Sequence, residues 1–162
     1  MNNSDLKVLI PEKEIQEKIA ELATILNKHY NGEEVYAVCA LKGAVMFAVD
    51  LVKRLSIPIK MEFIRLSSYG SGTSSSGTIK AVDLSLPDLN GKNVLIIEDI
   101  VDTGLTAKFL KEYITSNFHP KNILFCSLLN KKITRKVDVE PDYYCFDIDD
   151  KFVVGYGLDY DG

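Results

Sequence analysis

Residues 93–106 read NVLIIEDIVDTGLT. Between Asn93 and Glu98 the run 94–97 is wholly apolar, the pattern of a strand buried on both faces within a parallel sheet. Asn90-Gly91 supplies a turn before it. Polarity then returns abruptly. Glu98 and Asp99 close the strand, and Asp102-Thr103-Gly104-Leu105-Thr106 turns into a helix. That helix would turn Phe109, Leu110, Tyr113 and Ile114 inward and end near His119-Pro120.

Working outward, Glu12 to His29 reads as a helix, with Ile15, Ile19, Leu22 and Leu26 on one face. Pro11 precedes it, where a missing amide costs little, and Asn31-Gly32 stops it. Val35 to Leu41 (VYAVCAL) is another buried strand, broken by Lys42-Gly43. Ala44 to Leu55 carries a helical face of Val45, Ala48, Val49 and Val52, and Ile59 to Leu66 reads as a strand. Further strands are expected at Ile123 to Leu129, Tyr143 to Ile148 and Phe152 to Tyr156. This order predicts an α/β fold with a mostly parallel central sheet flanked by helices. No repeat or linker interrupts residues 1–162, so one domain is expected. In such sheets ligands bind beyond the carboxyl ends of the strands.

Composition narrows the classes. With 46% hydrophobic and 26% charged residues among 162, the chain is neither disordered, nor collagen-like, nor a disulfide-stapled miniprotein. Nineteen basic against 23 acidic side chains give −4, so no global positive field would hold a nucleic-acid backbone. Backbone amides can still build a local anion site. Cys39, Cys126 and Cys145 are widely spaced in apolar runs and read as buried, reduced thiols. Only His29 and His119 could add imidazole, so no zinc site is expected. Met1 to Asp5 does not open a signal peptide, and no apolar run is of membrane-spanning length. A cytoplasmic protein without membrane contact is expected.

Two segments bear on chemistry. Adjacent carboxylates at a strand end are costly unless hydrogen-bonded or near a cation. A sugar diol together with Mg²⁺ would meet both needs of Glu98 and Asp99. The turn at Thr103-Gly104-Leu105-Thr106 offers amides, two hydroxyls and a helix N-terminus, a phosphate cradle that needs no lysine. The plainer alternative is a capped helix beside exposed acids, but a cap alone would not call for Glu98 and Asp99. The second segment, residues 67–78, reads SSYGSGTSSSGT, all Ser, Thr or Gly apart from Tyr69. It is either a flexible linker or a lid over a site.

Residues 94–106 (VLIIEDIVDTGLT) resemble the phosphoribosyl diphosphate (PRPP) signature of type I phosphoribosyltransferases. Residues 150–160 (DKFVVGYGLDY) resemble the C-terminal segment of the hypoxanthine-guanine phosphoribosyltransferases. Residues 41–44 (LKGA), Ser68-Tyr69 and Lys131 fall in that family's order and spacing, so the likeness runs from about Val35 to the end. It implies the type I phosphoribosyltransferase fold, with a small hood made by the N- and C-terminal segments. It also implies Mg²⁺-dependent transfer of the 5-phosphoribosyl group to N9 of hypoxanthine or guanine, within purine salvage.

The same resemblance distributes roles. Glu98 and Asp99 would hold the ribose hydroxyls and metal, and Asp102, Thr103, Gly104, Leu105 and Thr106 would wrap the 5′-phosphate. Leu41, Lys42 and Gly43 would hold pyrophosphate, through a cis peptide before the lysine. Asp102 would exchange the proton at purine N7. Ser68 and Tyr69 would close over the reacting centre. Lys131 would donate to the exocyclic O6, Phe152 would stack on the purine, and Val153 and Asp159 would read its N1 and C2 edge. Asp159 would also help hold a second Mg²⁺. A homodimer or homotetramer is expected. Two departures stand out: Leu105 occupies a position where a small or polar residue is commoner, and the sequence stops at Asp161-Gly162. Family members continue with an arginine that contacts pyrophosphate, so a short or truncated tail is expected. Three rival readings stay open: a xanthine-preferring enzyme of the same fold, an RNA-binding regulator of pyrimidine genes that keeps the fold, and a receiver-type acidic pocket. The last would need its acid pair on the first strand.

Overall fold

The computed structural model describes residues 5–68 and 79–158. Its elements, in order, are α1 (Glu12–Tyr30), β1 (Val35–Leu41), α2 (Val45–Val52), β2 (Ile59–Ser68), β3 (Ile79–Asp83), β4 (Asn93–Val101), α3 (Leu105–Asn117), β5 (Asn122–Asn130) and β6 (Tyr143–Asp147). A 3-10 turn at Lys132–Thr134 lies between the last two strands.

The strands form one sheet in the order β3-β2-β1-β4-β5-β6. All neighbours run parallel except β3, which returns antiparallel along β2 at the edge. The chain builds outward from β1 through β2 and β3, then crosses back to place β4 on the other side of β1. The winding therefore reverses between β1 and β4, and a doubly wound sheet opens a crevice at the carboxyl ends of the strands at that point.

Side-chain alternation along the central strands divides the core in two. Ala37, Cys39, Leu95 and Ile97 pack on one face with Ile19, Leu22 and Leu26 of α1 and with Phe47 and Leu51 of α2. Tyr36, Val38, Val94 and Ile96 face the other way and meet Leu110 and Ile114 of α3. Both faces of β1 and β4 are covered, which is why neither sequence alternates. A single wholly buried Leu or Ile in such a layer contributes about 1.5–3 kcal/mol.

Most elements fall where the sequence puts them, and β1 matches residue for residue. Two do not. The strand expected at Phe152–Tyr156 is absent; only an isolated bridge pairs Gly155 with Leu158. Gly155, Tyr156 and Gly157 have φ of 96°, 52° and 82°, and residues in the left-handed region cannot lie within an extended strand. Conversely, β3 was not anticipated. It pairs Ile79 with Ser68. Residues 69–78, the core of the expected lid, lie outside the described residues, as do Tyr69 and Asp159. The three cysteines are free and buried, as expected.

Candidate active site

The end of β1 and the end of β4 flank the switch point. β1 delivers Leu41, after which the chain turns sharply through Lys42 and Gly43 into α2, and the Leu41–Lys42 peptide is cis. β4 delivers Glu98 and Asp99. The two ends touch. A Cβ added at Gly43 would collide with the Asp99 carboxylate, so only glycine lets the β1 turn pass that close.

Two clefts meet on these acids. One, of about 220 Å³, runs along the loop after β4 from Glu98 to Gly104 and includes Thr106. The other, of about 180 Å³, runs from Asp99 to Leu41 and Gly43 and reaches Ser67 and Ile79 at the β2–β3 edge. The sugar-phosphate side and the pyrophosphate side expected from sequence are thus brought onto one surface.

Glu98 is only 6% exposed, and its Oε1 has no hydrogen-bond partner. Burial pushes its carboxyl well above the ordinary value of 4.5, and the Asp99 charge adds to the push. Tyr30 Oη and Asn122 Oδ1 are also buried without partners, so Glu98 is the one carboxyl among the three. Asp99 Oδ1 accepts from the Ile100 amide at 2.8 Å. Among the described residues no cluster of three or more His, Cys, Asp or Glu could hold a metal ion. An orphaned carboxyl oxygen beside a second carboxylate does fit a hard cation that takes its remaining oxygens from water and ligand.

Past the acids, Gly104 takes φ 88° and starts α3, and Thr103 Oγ1 accepts from the Leu105 amide at 3.3 Å. The Gly104 carbonyl joins the helix by accepting from Lys108 at 3.0 Å. Thr103, Leu105 and Thr106 are half-buried and Asp102 is exposed. Asp102 Oδ1 accepts a hydrogen bond from Thr134 Oγ1.

Lys131 is not a plain surface charge. Its side chain is 12% exposed, its Nζ lies 3.1 Å from Asp150 Oδ1, and it donates to the Lys151 carbonyl at 3.3 Å. Lys132 beside it is solvated, with a side chain 59% exposed. Lys131 is therefore fastened to the segment that carries Phe152 and Val153. Phe152 is 68% exposed and Val153 is half-buried against the α1–α2 core. The same segment latches onto α2: the Tyr156 hydroxyl donates to Asp50 Oδ2, and Gly157 sits where a Cβ would strike Met46. Lys42 is exposed. Ser68 ends β2, at the mouth of residues 69–78.

Sequence reasoning missed Thr134, Arg135, Asp50 and Tyr156. Arg135 lies in a run of Lys131, Lys132, Arg135 and Lys136 that reads as solvated charge. The only available signal was an arginine among lysines in a short inter-strand segment, since its fork suits several acceptors at once.

An acid pair and a glycine turn face each other across the switch point of a doubly wound sheet, where such sheets take their ligands. The model of the phosphoribosyl transferase domain matches residues 11–161, and the chain belongs to that family. It is 45% identical to a hypoxanthine-guanine phosphoribosyltransferase of Aquifex aeolicus, over 96% of this chain and 87% of that protein. It is 44% identical to a bifunctional protein TilS/HprT of Listeria monocytogenes, over 99% of this chain and 24% of that protein. The chain thus spans about a quarter of the length of these bifunctional relatives. Its fold superposes on a hypoxanthine phosphoribosyltransferase of Trypanosoma cruzi in complex with the product IMP. The TM-score is 0.89 at 36% identity, covering 99% of this chain and 90% of that one.

Proposed function

We propose that the protein transfers the 5-phosphoribosyl group of PRPP to N9 of hypoxanthine or guanine, releasing pyrophosphate. The observation that carries this reading is the closeness of Gly43 to Asp99, which joins a pyrophosphate turn and a ribose-binding acid pair in one crevice. As the C1–oxygen bond to pyrophosphate breaks, positive charge builds on the sugar and negative charge on the leaving group. Lys42 and the amides of the 41–43 turn receive the leaving group. Glu98 and Asp99 hold the ribose hydroxyls, and the loop from Asp102 to Thr106 binds the 5′-phosphate at the start of α3. Asp102 accepts the N7 proton as N9 bonds to C1. Lys131, which has only donors to offer, selects a 6-oxo group over a 6-amino group. Phe152 covers the purine, Val153 and Asp159 read its edge, and Ser68 and Tyr69 close over the reacting centre.

Glu98, Asp99 and Asp159 are the residues that would hold Mg²⁺, which supplies charge neutralisation for the diphosphate. Exposed apolar side chains at Met46, Val49 and Phe63 favour a homodimer or homotetramer, which sedimentation would size. A cytoplasmic location is part of this proposal; no helix among the described residues is long and apolar enough to cross a membrane.

The test is nucleotide formation from hypoxanthine, guanine, xanthine, adenine and uracil with PRPP and Mg²⁺. Turnover of the first two, little of adenine and none without metal is expected. A preference for xanthine would select the sister activity. No turnover with any base, together with salt-sensitive RNA binding, would favour the regulator.

A further inference from the structure

The loop after β4 has to present amides to a phosphate, and a planar trans peptide points its N–H opposite to its C=O. Whatever holds the carbonyls of such a loop therefore aims its amides. In this protein the carbonyls of Val101, which ends β4, and of the two loop residues after it are all held by one short segment. The Val101 carbonyl accepts from the Lys131 amide at 2.9 Å and from Arg135 Nη2 at 3.4 Å. The Asp102 carbonyl accepts from Arg135 Nε at 3.0 Å. The Thr103 carbonyl accepts from the Lys136 amide at 2.8 Å.

Arg135 is built for this task. Its side chain is 10% exposed, and its remaining donors go to Glu140 Oε1 at 2.7 Å and to the Val139 carbonyl and Asn130 Oδ1. Its Cδ packs under the left-handed Gly104, 2.9 Å from where a Cβ would sit. A planar fork can satisfy several acceptors at fixed angles, which a lysine ammonium cannot reproduce. Next to it, the Thr134 hydroxyl has one proton and two acceptors in reach, the Lys131 carbonyl at 3.2 Å and Asp102 Oδ1. The carboxylate is the stronger acceptor and takes the proton. With Oδ1 held, Oδ2 is the oxygen left to meet the base.

We propose that Thr134 and Arg135 are positioning residues, Thr134 orienting the Asp102 carboxylate for proton transfer and Arg135 aiming the amides of the phosphate loop. Since Lys131 belongs to the same segment, the group that reads the purine and the loop that grips the phosphate are set by one piece of backbone. The inference rests on the proposed roles of Asp102 and its loop.

Four variants of the intact protein test it: T134V, T134S, R135K and D102N. T134V should lower kcat on the order of ten- to a hundred-fold, as a misaimed catalytic group does, with KM for PRPP and the melting temperature unchanged. T134S, which keeps the hydroxyl, should restore turnover. T134V added to D102N should cost little more, because groups acting through one another are not additive. R135K should raise KM for PRPP and weaken binding of the product nucleoside 5′-monophosphate on the order of ten-fold, while binding of the free base is unchanged. A merely structural role would weaken all three ligands together. T134V with wild-type kcat, or R135K that weakens base and nucleotide alike, overturns the proposal while an inactive D102N leaves the parent reading standing. D102N with wild-type turnover overturns that reading and the proposal with it. If R135K does not fold, the comparison of T134V with T134S decides alone.

Discussion

Asn93 and Glu98 stand at opposite ends of one apolar run in β4 and are almost equally buried, at 5% and 6% exposed. Asn93 is fully engaged. Its Nδ2 donates to the Glu34 carbonyl at 2.9 Å, its Oδ1 accepts from Asn122 Nδ2 at 2.6 Å, and Glu33 nearby is paired with Lys121. Glu98 has an oxygen with no partner and a neighbouring carboxylate that opposes its ionisation. One end of the strand is closed on itself; the other keeps a carboxyl oxygen without a partner. Under the proposed function, the difference separates the part of the molecule that holds the sheet together from the part that would handle a ligand. Changes at the carboxyl end should cost activity more than stability, and changes at the amino end the reverse.

The largest effect should come from Asp102→Asn. The amide keeps the shape of the carboxylate but cannot accept the N7 proton, so kcat should fall about 10²–10⁴-fold with PRPP binding kept. Steady-state kinetics beside calorimetric titration with PRPP and Mg²⁺ separates the two.

Glu98→Gln sharpens the contrast within one residue. PRPP affinity should drop roughly ten- to a hundred-fold, the scale of a lost hydrogen bond to a charged group. The metal-free protein should gain stability. A carboxyl held above its ordinary value binds more protons folded than unfolded, so its burial costs stability as pH rises past 4.5. The melting temperature of E98Q should therefore draw level with wild type below pH 4.5 and exceed it increasingly above. A constant gap across pH would mean that Glu98 is not held protonated by its surroundings.

At the closed end, Asn93→Ala leaves the Glu34 carbonyl and the Asn122 amide short of a partner. Unfolding should cost about 1–3 kcal/mol less in urea, while KM for PRPP stays put. The smallest effect is expected from Tyr156→Phe, which opens the latch onto α2 at a cost of roughly 0.5–1.5 kcal/mol. The Tyr156 hydrogen bond holds the Asp50 carboxyl below its ordinary value of 3.8, helped by Gln16 and by nearby Lys53 and Arg54. That contribution is present above 3.8 and is lost as pH falls through the lowered value, so Y156F and wild type should converge in acid. Equal sensitivity at pH 3 and pH 7 would remove Asp50 from the latch.

Much of this is legible in the sequence. β1 and residues 94–97 of β4 are buried on both faces, so their letters are apolar with no polar alternation. The acids and the glycine turn sit together in 98–106, where a contiguous motif carries its own context. β3 was missed because an edge strand needs little apolar sequence, and IKAVD follows a Ser/Gly stretch that reads as loop. Val153, Val154 and Tyr156 suggested a strand because β-branched and aromatic residues favour one, while the left-handed turn through Gly155 to Gly157 is fixed by packing against α2. Arg135 escaped notice for another reason. Its main partners are carbonyls, and every residue has one, so a grip on the main chain leaves no letter behind.

The contact of Gly43 with Asp99 also limits how the chain can change over time. A side chain of any size at position 43 would displace the carboxylate across the crevice. Gly43 lies in the turn after β1 and Asp99 on β4, so what position 43 can carry depends on a residue far away in the sequence. A library that varies position 43 alone should recover only glycine among active clones. A lineage could place a side chain at position 43 only by also altering position 99.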